Sequence, residues 1–235
     1  MTDRVSSDRV SVVIPVFNGA AYLVECLRSV AAQTVPVHEV IVVDDGSTDG
    51  SLAVVAAEYP SAVVLGGQPR GGAAAARNRG VAAATGEWLA LIDQDDVWPP
   101  ERTAALLRAT TSGTDWVCGR LRLRFEADHQ RQDRAAAADG THVPYLLGSL
   151  LMRRDVWLRL GGINPDLQVA EDVDLYLRYR ESGGAALHID DETLVHRFHR
   201  NSQMSVEAAT AQQQTFDVIR AAAQRRRRAQ FPEAT

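Results

Sequence analysis

The chain predicts an α/β fold: a central, mostly parallel sheet with helices on both faces. Three observations carry that expectation. Short β-branched apolar runs recur between Val10 and Asp93, each is followed by a segment with helical spacing, and the runs are nearly continuous in apolar residues, as strands covered on both faces are. Right-handed crossovers then bring the carboxyl ends of the strands to one edge, where ligands of such folds bind.

The elements follow in order. VSVVIP (Val10 to Pro15) is the first strand, and Tyr22, Leu23, Cys26, Leu27 and Val30 in AAYLVECLRSVAAQ fall at helical spacing after it. EVIVVDD (Glu39 to Asp45) repeats the strand signal, and Ser47 or Asp49 can cap the helix GSLAVVAAEY. AVVLGG (Ala62 to Gly67) is a third strand, AAAARNRGVAAATG a third helix and EWLALID a fourth strand. The second half is less regular. DWVCGRLRLRF (Asp115 to Phe125) reads as a strand, EADHQRQDRAAAADGTH (Glu126 to His142) as a mobile loop placed to cover a site, and YLLGSLLM as a further strand. RRDVWLRLGG predicts a short helix closed by Gly161 or Gly162. EDVDLYLRYRESGG predicts an amphipathic helix ended by Gly183 and Gly184, with Val173, Tyr176 and Leu177 as its apolar stripe and Asp172 projecting from its start. From Ser205 an exposed helical tail carries QRRRRAQ, which divides the chain into a domain of residues 1–204 and a basic tail, 205–235.

At 235 residues and 46% hydrophobic content the chain can bury a sizeable core. A formal net charge of −5, from 25 basic and 30 acidic residues, argues against nucleic acid as a partner. Cys26 and Cys118 are far apart without CxxC spacing, so neither a disulfide framework nor a zinc site is expected, and a reducing cytoplasm suits them. No apolar run reaches the ~18 residues of a membrane-spanning helix. The polar start MTDRVSSDR has no signal-peptide core, and the expectation is a soluble, cytoplasmic protein. Arg225 to Arg228 form a solvated helix face or attract the chain to an anionic inner membrane surface.

ALIDQDDVWPP gathers Asp93, Asp95 and Asp96 directly after an apolar run. Carboxylates this close raise one another's pKa, so the cluster needs a cation or several donors to hold it ionised. A divalent ion, Mg²⁺ or Mn²⁺, supplies that charge and shares its shell with phosphate oxygens, which would let an acidic protein hold a polyphosphate.

The segments VSVVIPVFNGAAYLVECLRSVAAQT, EVIVVDDGSTDGS, GGAAAARNRGVAAATGEWLALIDQDDVWPP and LGGINPDLQVAEDVDLYLRYRESG resemble, in order and spacing, the signature segments of the family 2 glycosyltransferases. The resemblance runs from about Val10 to Ser205. It implies the GT-A (Rossmann-like) fold and transfer of a sugar from a nucleotide-diphospho-sugar, usually with inversion and with a divalent metal. The expected acceptor is a glycan, a lipid-linked sugar, a peptide or a small molecule, a choice set by the shape of the pocket.

Residue by residue, the resemblance implies that Pro15 and Phe17 line the base pocket, that Asp45 bonds the base edge with Asp44 supporting its turn, and that Arg77 approaches the base or diphosphate. Asp93 and Asp95 match its DxD motif, with Asp95 the first metal ligand, Asp93 near the ribose or metal and Asp96 behind them. Asp172 is the matched general base, with Glu171 its neighbour and competitor; His199 reaches the diphosphate or metal, with His196 in reserve. Each position has a plainer reading as well: Phe17 as core, the aspartates as helix caps, Arg77 as a solvated surface residue.

Rival functions find less support. A sugar-1-phosphate nucleotidylyltransferase would show a Gly-rich loop with Arg where PVFNGAAYL stands, and a dinucleotide oxidoreductase would show GxGxxG there. A non-catalytic nucleotide-sugar-binding module is the remaining alternative, against which Asp95 and Asp172 stand together.

Overall fold

The structure, a computed structural model of the chain, describes residues 9–67, 70–126, 145–199 and 208–230. β1 (Val10–Val16) lies near the centre because its alternate side chains find apolar partners on both faces. Val12 and Ile14 point to the side covered by α1 (Ala20–Ala31), whereas Val13 points to the side covered by α3 (Gly72–Ala83). A run buried on both faces takes a polar side chain only where it finds a partner, as Ser11 does by donating to Glu39 Oε1 at 2.5 Å, which is why VSVVIPV reads as nearly continuous apolar sequence.

β2 (Glu39–Asp44) and the short β3 (Val63–Leu65) extend the sheet on one side, with α2 (Ser51–Glu58) between them in sequence. β4 (Trp88–Leu91) lies on the other side of β1, and these four strands are all parallel. Then follow α4 (Arg102–Ala109), β5 (Trp116–Phe125), β6 (Leu150–Arg153), α5 (Arg154–Leu160), α6 (Glu171–Glu181), β7 (Leu187–Phe198) and α7 (Ala208–Gln230). The seven-stranded sheet runs β3-β2-β1-β4-β6-β5-β7, and β6 is antiparallel to both neighbours. The sheet is therefore mostly parallel, as expected, with one reversed strand that periodicity does not reveal.

Several boundaries move. The expected strand YLLGSLLM contributes a 3₁₀ turn at Leu147–Ser149 before β6 begins. α4 was not foreseen because its core-facing residues include Arg102 and Thr103, both fully buried, so it lacks an apolar stripe. Arg102 lies 3.7 Å over the Trp98 ring and donates to the Leu150 carbonyl at 2.6 Å, which substitutes for apolar packing. Gly161 closes α5 in the left-handed conformation, φ 80°, as the sequence expects.

Two expectations about helices are corrected. On α6 the buried face is Asp174, Leu175 and Tyr179, not Val173, Tyr176 and Leu177. Arg178 donates to Asp174 at 2.9 Å and to the Gly162 carbonyl at 2.8 Å, so an ion pair occupies a place where an apolar stripe was predicted. The tail is helical but not exposed as a whole: Val218 and Ala222 are buried, and Arg225 Nε lies 2.7 Å from Glu181 Oε2 on α6. Most of the predicted loop Glu126 to His142, and the boundary drawn at 204/205, lie outside the described residues.

Candidate active site

β4 ends beside β1, with the Ile92 amide donating to the Val13 carbonyl at 3.2 Å, and the chain then turns so that the Asp96 amide meets the Asp93 carbonyl at 3.1 Å. That turn sends the side chains of DQDD to separate partners. Asp93 Oδ1 receives Arg77 Nη2 at 2.5 Å. Gln94 clamps the backbone of Phe17, accepting from its amide at 2.9 Å and donating to its carbonyl at 3.1 Å. Asp95 Oδ2 lies 2.8 Å from His199 Nε2. Asp96, fully buried, meets His196 Nδ1 at 3.0 Å and accepts from the Arg197 amide at 3.0 Å.

These partners change the charge argument. The sequence suggested that a metal ion was the missing positive charge of the cluster; the chain itself supplies Arg77 and His196. Burial disfavours the charged imidazole, but the Asp96 carboxylate overcomes it and holds His196 up at about 9. Burial also raises the Asp96 pKa, an effect the His196 charge opposes. Asp96 and His196 are thus committed to each other behind the site, and Asp95, partly exposed, is paired with the buried His199. No group of three or more His, Cys, Asp or Glu arranged to hold a metal occurs among the described residues.

Arg77 is buried, which corrects its plainer reading as a surface residue. α3 can approach the sheet because Gly80 has no side chain: a Cβ there would collide with Val13. The guanidinium then reaches Asp93 with one arm and Glu171 with the other, at 3.0 Å. Burial alone would lower its pKa, but the Asp93 and Glu171 carboxylates raise it instead. Arg77 Nε remains a buried donor with no hydrogen-bond acceptor.

Glu171 opens α6 after Ala170, whose φ of 62° is left-handed. A non-glycine residue there carries strain of the kind found at functional sites. Asp172 follows. Its Oδ1 accepts from the Val173 amide at 2.7 Å, and the residue is partly buried instead of projecting freely as expected. Burial, reinforced by the Glu171 charge, pushes the Asp172 carboxyl up to about 7, with Arg77 pulling the other way. A carboxyl at that value gives up and takes up protons near neutral pH.

His199 is buried under Tyr22, whose ring stacks on it at 4.1 Å. Tyr22 belongs to the expected helical stripe of α1 but is only half-buried, unlike Leu23, Cys26, Leu27 and Val30. The Arg197 guanidinium lies 5.1 Å from the centre of the Tyr22 ring and pairs with Glu25. The Tyr22 hydroxyl lies 3.4 Å from Glu126 Oε2.

The remaining candidates gather at the carboxyl ends of β1 and β2. Pro15 is buried within β1, and Phe17 is half-buried with the Arg70 guanidinium 3.9 Å above its ring. Asp45 accepts from the Gly71 and Gly72 amides at 2.7 and 2.8 Å, so both oxygens are held at the start of α3. Asp44 Oδ1 accepts from the Ser47 amide at 3.0 Å, the turn-supporting role expected of it. Hydrogen bonds thus gather Phe17, Arg77 and His199 around the DQDD turn with Asp93 and Asp95, and Arg77 extends the set to Glu171, the neighbour of Asp172. Pro15 lies in β1, two residues before Phe17, and Asp45 is held at the start of α3. Gln94, Tyr22 and Arg70 were missed. The short spacing of Gln94 between two aspartates was the available signal for the first.

Comparison with known proteins bears on this arrangement. Residues 11–163 match the family described as Glycosyl transferase family 2. Glycosyltransferase GlyG of Streptococcus pneumoniae is 42% identical over 94 residues, covering 39% of this chain and 31% of that protein. An uncharacterized glycosyltransferase of Rickettsia conorii is 30% identical over 207 residues, 81% of this chain and 34% of the relative. Among solved structures, S. aureus TarS 1-349 in complex with UDP-GlcNAc superposes with a TM-score of 0.69 at 22% identity, covering 92% of this chain and 65% of that one. The mannosyltransferase PcManGT from Pyrobaculum calidifontis, in complex with GDP-Man and Mn²⁺, gives a TM-score of 0.65 at 25% identity over 83% of this chain and 58% of that one. The chain spans about a third of the length of these two curated relatives. The fold is the GT-A fold, and the chain belongs to glycosyl transferase family 2.

Proposed function

We propose that the chain transfers a glycosyl group from a nucleotide-diphospho-sugar to an acceptor hydroxyl or similar nucleophile by a single inverting displacement. One observation carries the catalytic part of this reading: Asp172, partly buried at the start of α6, has its carboxyl raised to about 7. General bases work best near the operating pH. Asp172 accepts the proton of the attacking nucleophile, and Glu171, committed to Arg77, keeps the start of α6 beside the DQDD turn. Proximity supplies the rest, with no covalent intermediate required.

The donor end follows from Phe17 and Asp45 at the strand ends, where a base would stack and the diphosphate would lie toward Asp93 and Asp95. Asp95 and His199 suit a divalent ion that takes much of its shell from phosphate oxygens, since one carboxylate and one imidazole meet at 2.8 Å. Such an ion, when bound, would offset the charge of the departing nucleotide diphosphate. PcManGT, described with GDP-Man and Mn²⁺, supports the same expectation.

The non-catalytic alternative predicts donor binding without turnover. Incubating the protein with UDP-GlcNAc or GDP-Man, Mn²⁺ and an acceptor panel, and measuring nucleotide release, separates the two. Acceptor-dependent release supports transfer. Binding without release under every acceptor leaves the module reading in its place.

α7 suggests where the protein works. No helix among the described residues is long and apolar enough to cross a membrane. On the outer face of α7, however, Phe216 and Ile219 are 54% and 50% exposed, with Arg220, Arg226, Arg227 and Arg228 exposed around and beyond them. A helix with exposed apolar side chains among arginines suits the surface of an anionic bilayer. Arg225, turned to Glu181, is removed from the four-residue patch expected from the sequence.

A further inference from the structure

The Asp172 carboxyl does not stand alone on its helix. Tyr176, four residues later on α6, shares its face. Its ring is seated from behind by the fully buried Trp116, which meets it edge-on at 5.7 Å and stacks on Tyr179 at 4.8 Å. The Tyr145 ring is a second neighbour of Tyr176, its centre 6.4 Å away and its plane tilted by 54°. Tyr145 is 37% exposed, so part of this aromatic pair is open to solvent.

We infer that Tyr145 and Tyr176 form an acceptor platform for a carbohydrate, holding the C–H face of a pyranose ring while a ring hydroxyl points at Asp172. This deepens the transfer reading above and rests on it. The chemistry selects the class. A pyranose is amphipathic, with a flat apolar face and a polar rim, and an aromatic surface beside one proton acceptor matches both halves. A peptide hydroxyl or a simple alcohol offers no such face. Burial and the Asp172 charge both raise the Tyr145 phenol, which places the two groups within electrostatic reach of each other. Tyr145 therefore meets the ring as a neutral phenol, with its hydroxyl available to a sugar hydroxyl.

Saturation-transfer NMR with cellobiose, lactose, maltose and chitobiose as probes tests the inference on the full chain. At least one disaccharide is expected to receive saturation, strongest at its axial C–H protons. The signal should fall at least fivefold in Tyr145→Ala and in Tyr145→Leu, which keeps bulk without a flat ring, and persist in Tyr145→Phe. No saturation of any disaccharide by the wild-type protein, or equal signals in wild type and Tyr145→Leu, overturns the platform. So does transfer to the base protons of UDP or GDP that depends on Tyr145, which would assign the ring to the donor. Thermal shifts of the wild-type protein with UDP, GDP and Mn²⁺ test the donor site separately: their absence counts against the transfer reading and leaves the disaccharide result to stand or fall by itself.

Discussion

Arg77 Nη1 lies 3.0 Å from Glu171 Oε1, joining two residues 94 positions apart and fastening the start of α6 to the helix that follows β3. Through its other arm the same guanidinium holds Asp93, so the carboxylates of two distant segments share one buried cation. Removing that cation would leave both without a partner. Arg77→Met is expected to lower stability by about 1–3 kcal/mol, since Asp93, 41% exposed, regains water while Glu171 is left less well solvated. Arg77→Lys keeps the charge but not the two-armed geometry, and should lose less. Urea unfolding measures both; a loss under about 1 kcal/mol for Arg77→Met would mean that the bridge does not hold the site.

Asp172→Asn is expected to reduce transfer by ~10²–10⁴-fold while donor affinity is kept. Wild-type transfer should rise with pH through about 7 as Asp172 ionises, and the variant's residual activity should not follow that curve.

The same substitution carries a stability prediction with a defined sign. A carboxyl raised from 3.8 to about 7 makes a contribution that is present below the lower value and lost as pH rises through the upper one. Asn removes that loss, worth up to about 4 kcal/mol. The variant should therefore melt above wild type at pH 8 and close to it at pH 4, by calorimetry. Equal melting at both values would remove the case for a strained carboxyl.

Asp95→Asn keeps a hydrogen-bonding partner for His199, so stability should change by no more than about 1 kcal/mol. Mn²⁺-dependent binding of UDP or GDP, followed by titration calorimetry, is expected to weaken at least tenfold, with transfer abolished. Unchanged binding and turnover in metal-free buffer would count against Asp95 as a ligand.

Replacing Arg226, Arg227 and Arg228 by Gln should weaken sedimentation with phosphatidylserine vesicles by roughly 100-fold, at ~1 kcal/mol per residue. Phe216→Ser with Ile219→Ser should weaken it further, and high salt should erase only the arginine part. Equal sedimentation of wild type and both variants would leave α7 as a helix packed on α6 and nothing more.

The fold was legible wherever burial is two-sided. VSVVIPV and EVIVVD are apolar at nearly every position because helices cover both faces, with Ser11, Glu39 and Asp44 the exceptions, and a run that apolar can be seen in a sequence. α4 was not legible: Arg102 and Thr103 take core positions there, and only the Trp98 ring and the Leu150 carbonyl, supplied by other segments, make that possible. The stripe of α6 was misplaced for the same reason, since the Asp174–Arg178 pair is buried against carbonyls from the end of α5.

By itself the sequence determined the parallel framework, the acidic turn at its edge and the family to which both belong, because these depend on local periodicity and on spacing along one segment. The tertiary structure alone decided which charge answers which. Arg77 with Asp93 and Glu171, His199 with Asp95, His196 with Asp96 and Tyr22 over His199 are pairings between segments far apart in the chain. Coulomb attraction and desolvation depend on distance in space, so no spacing along the chain encodes them. Asp172, beside Glu171 in any conformation, reaches a pKa of about 7 only when folding takes its carboxyl out of water.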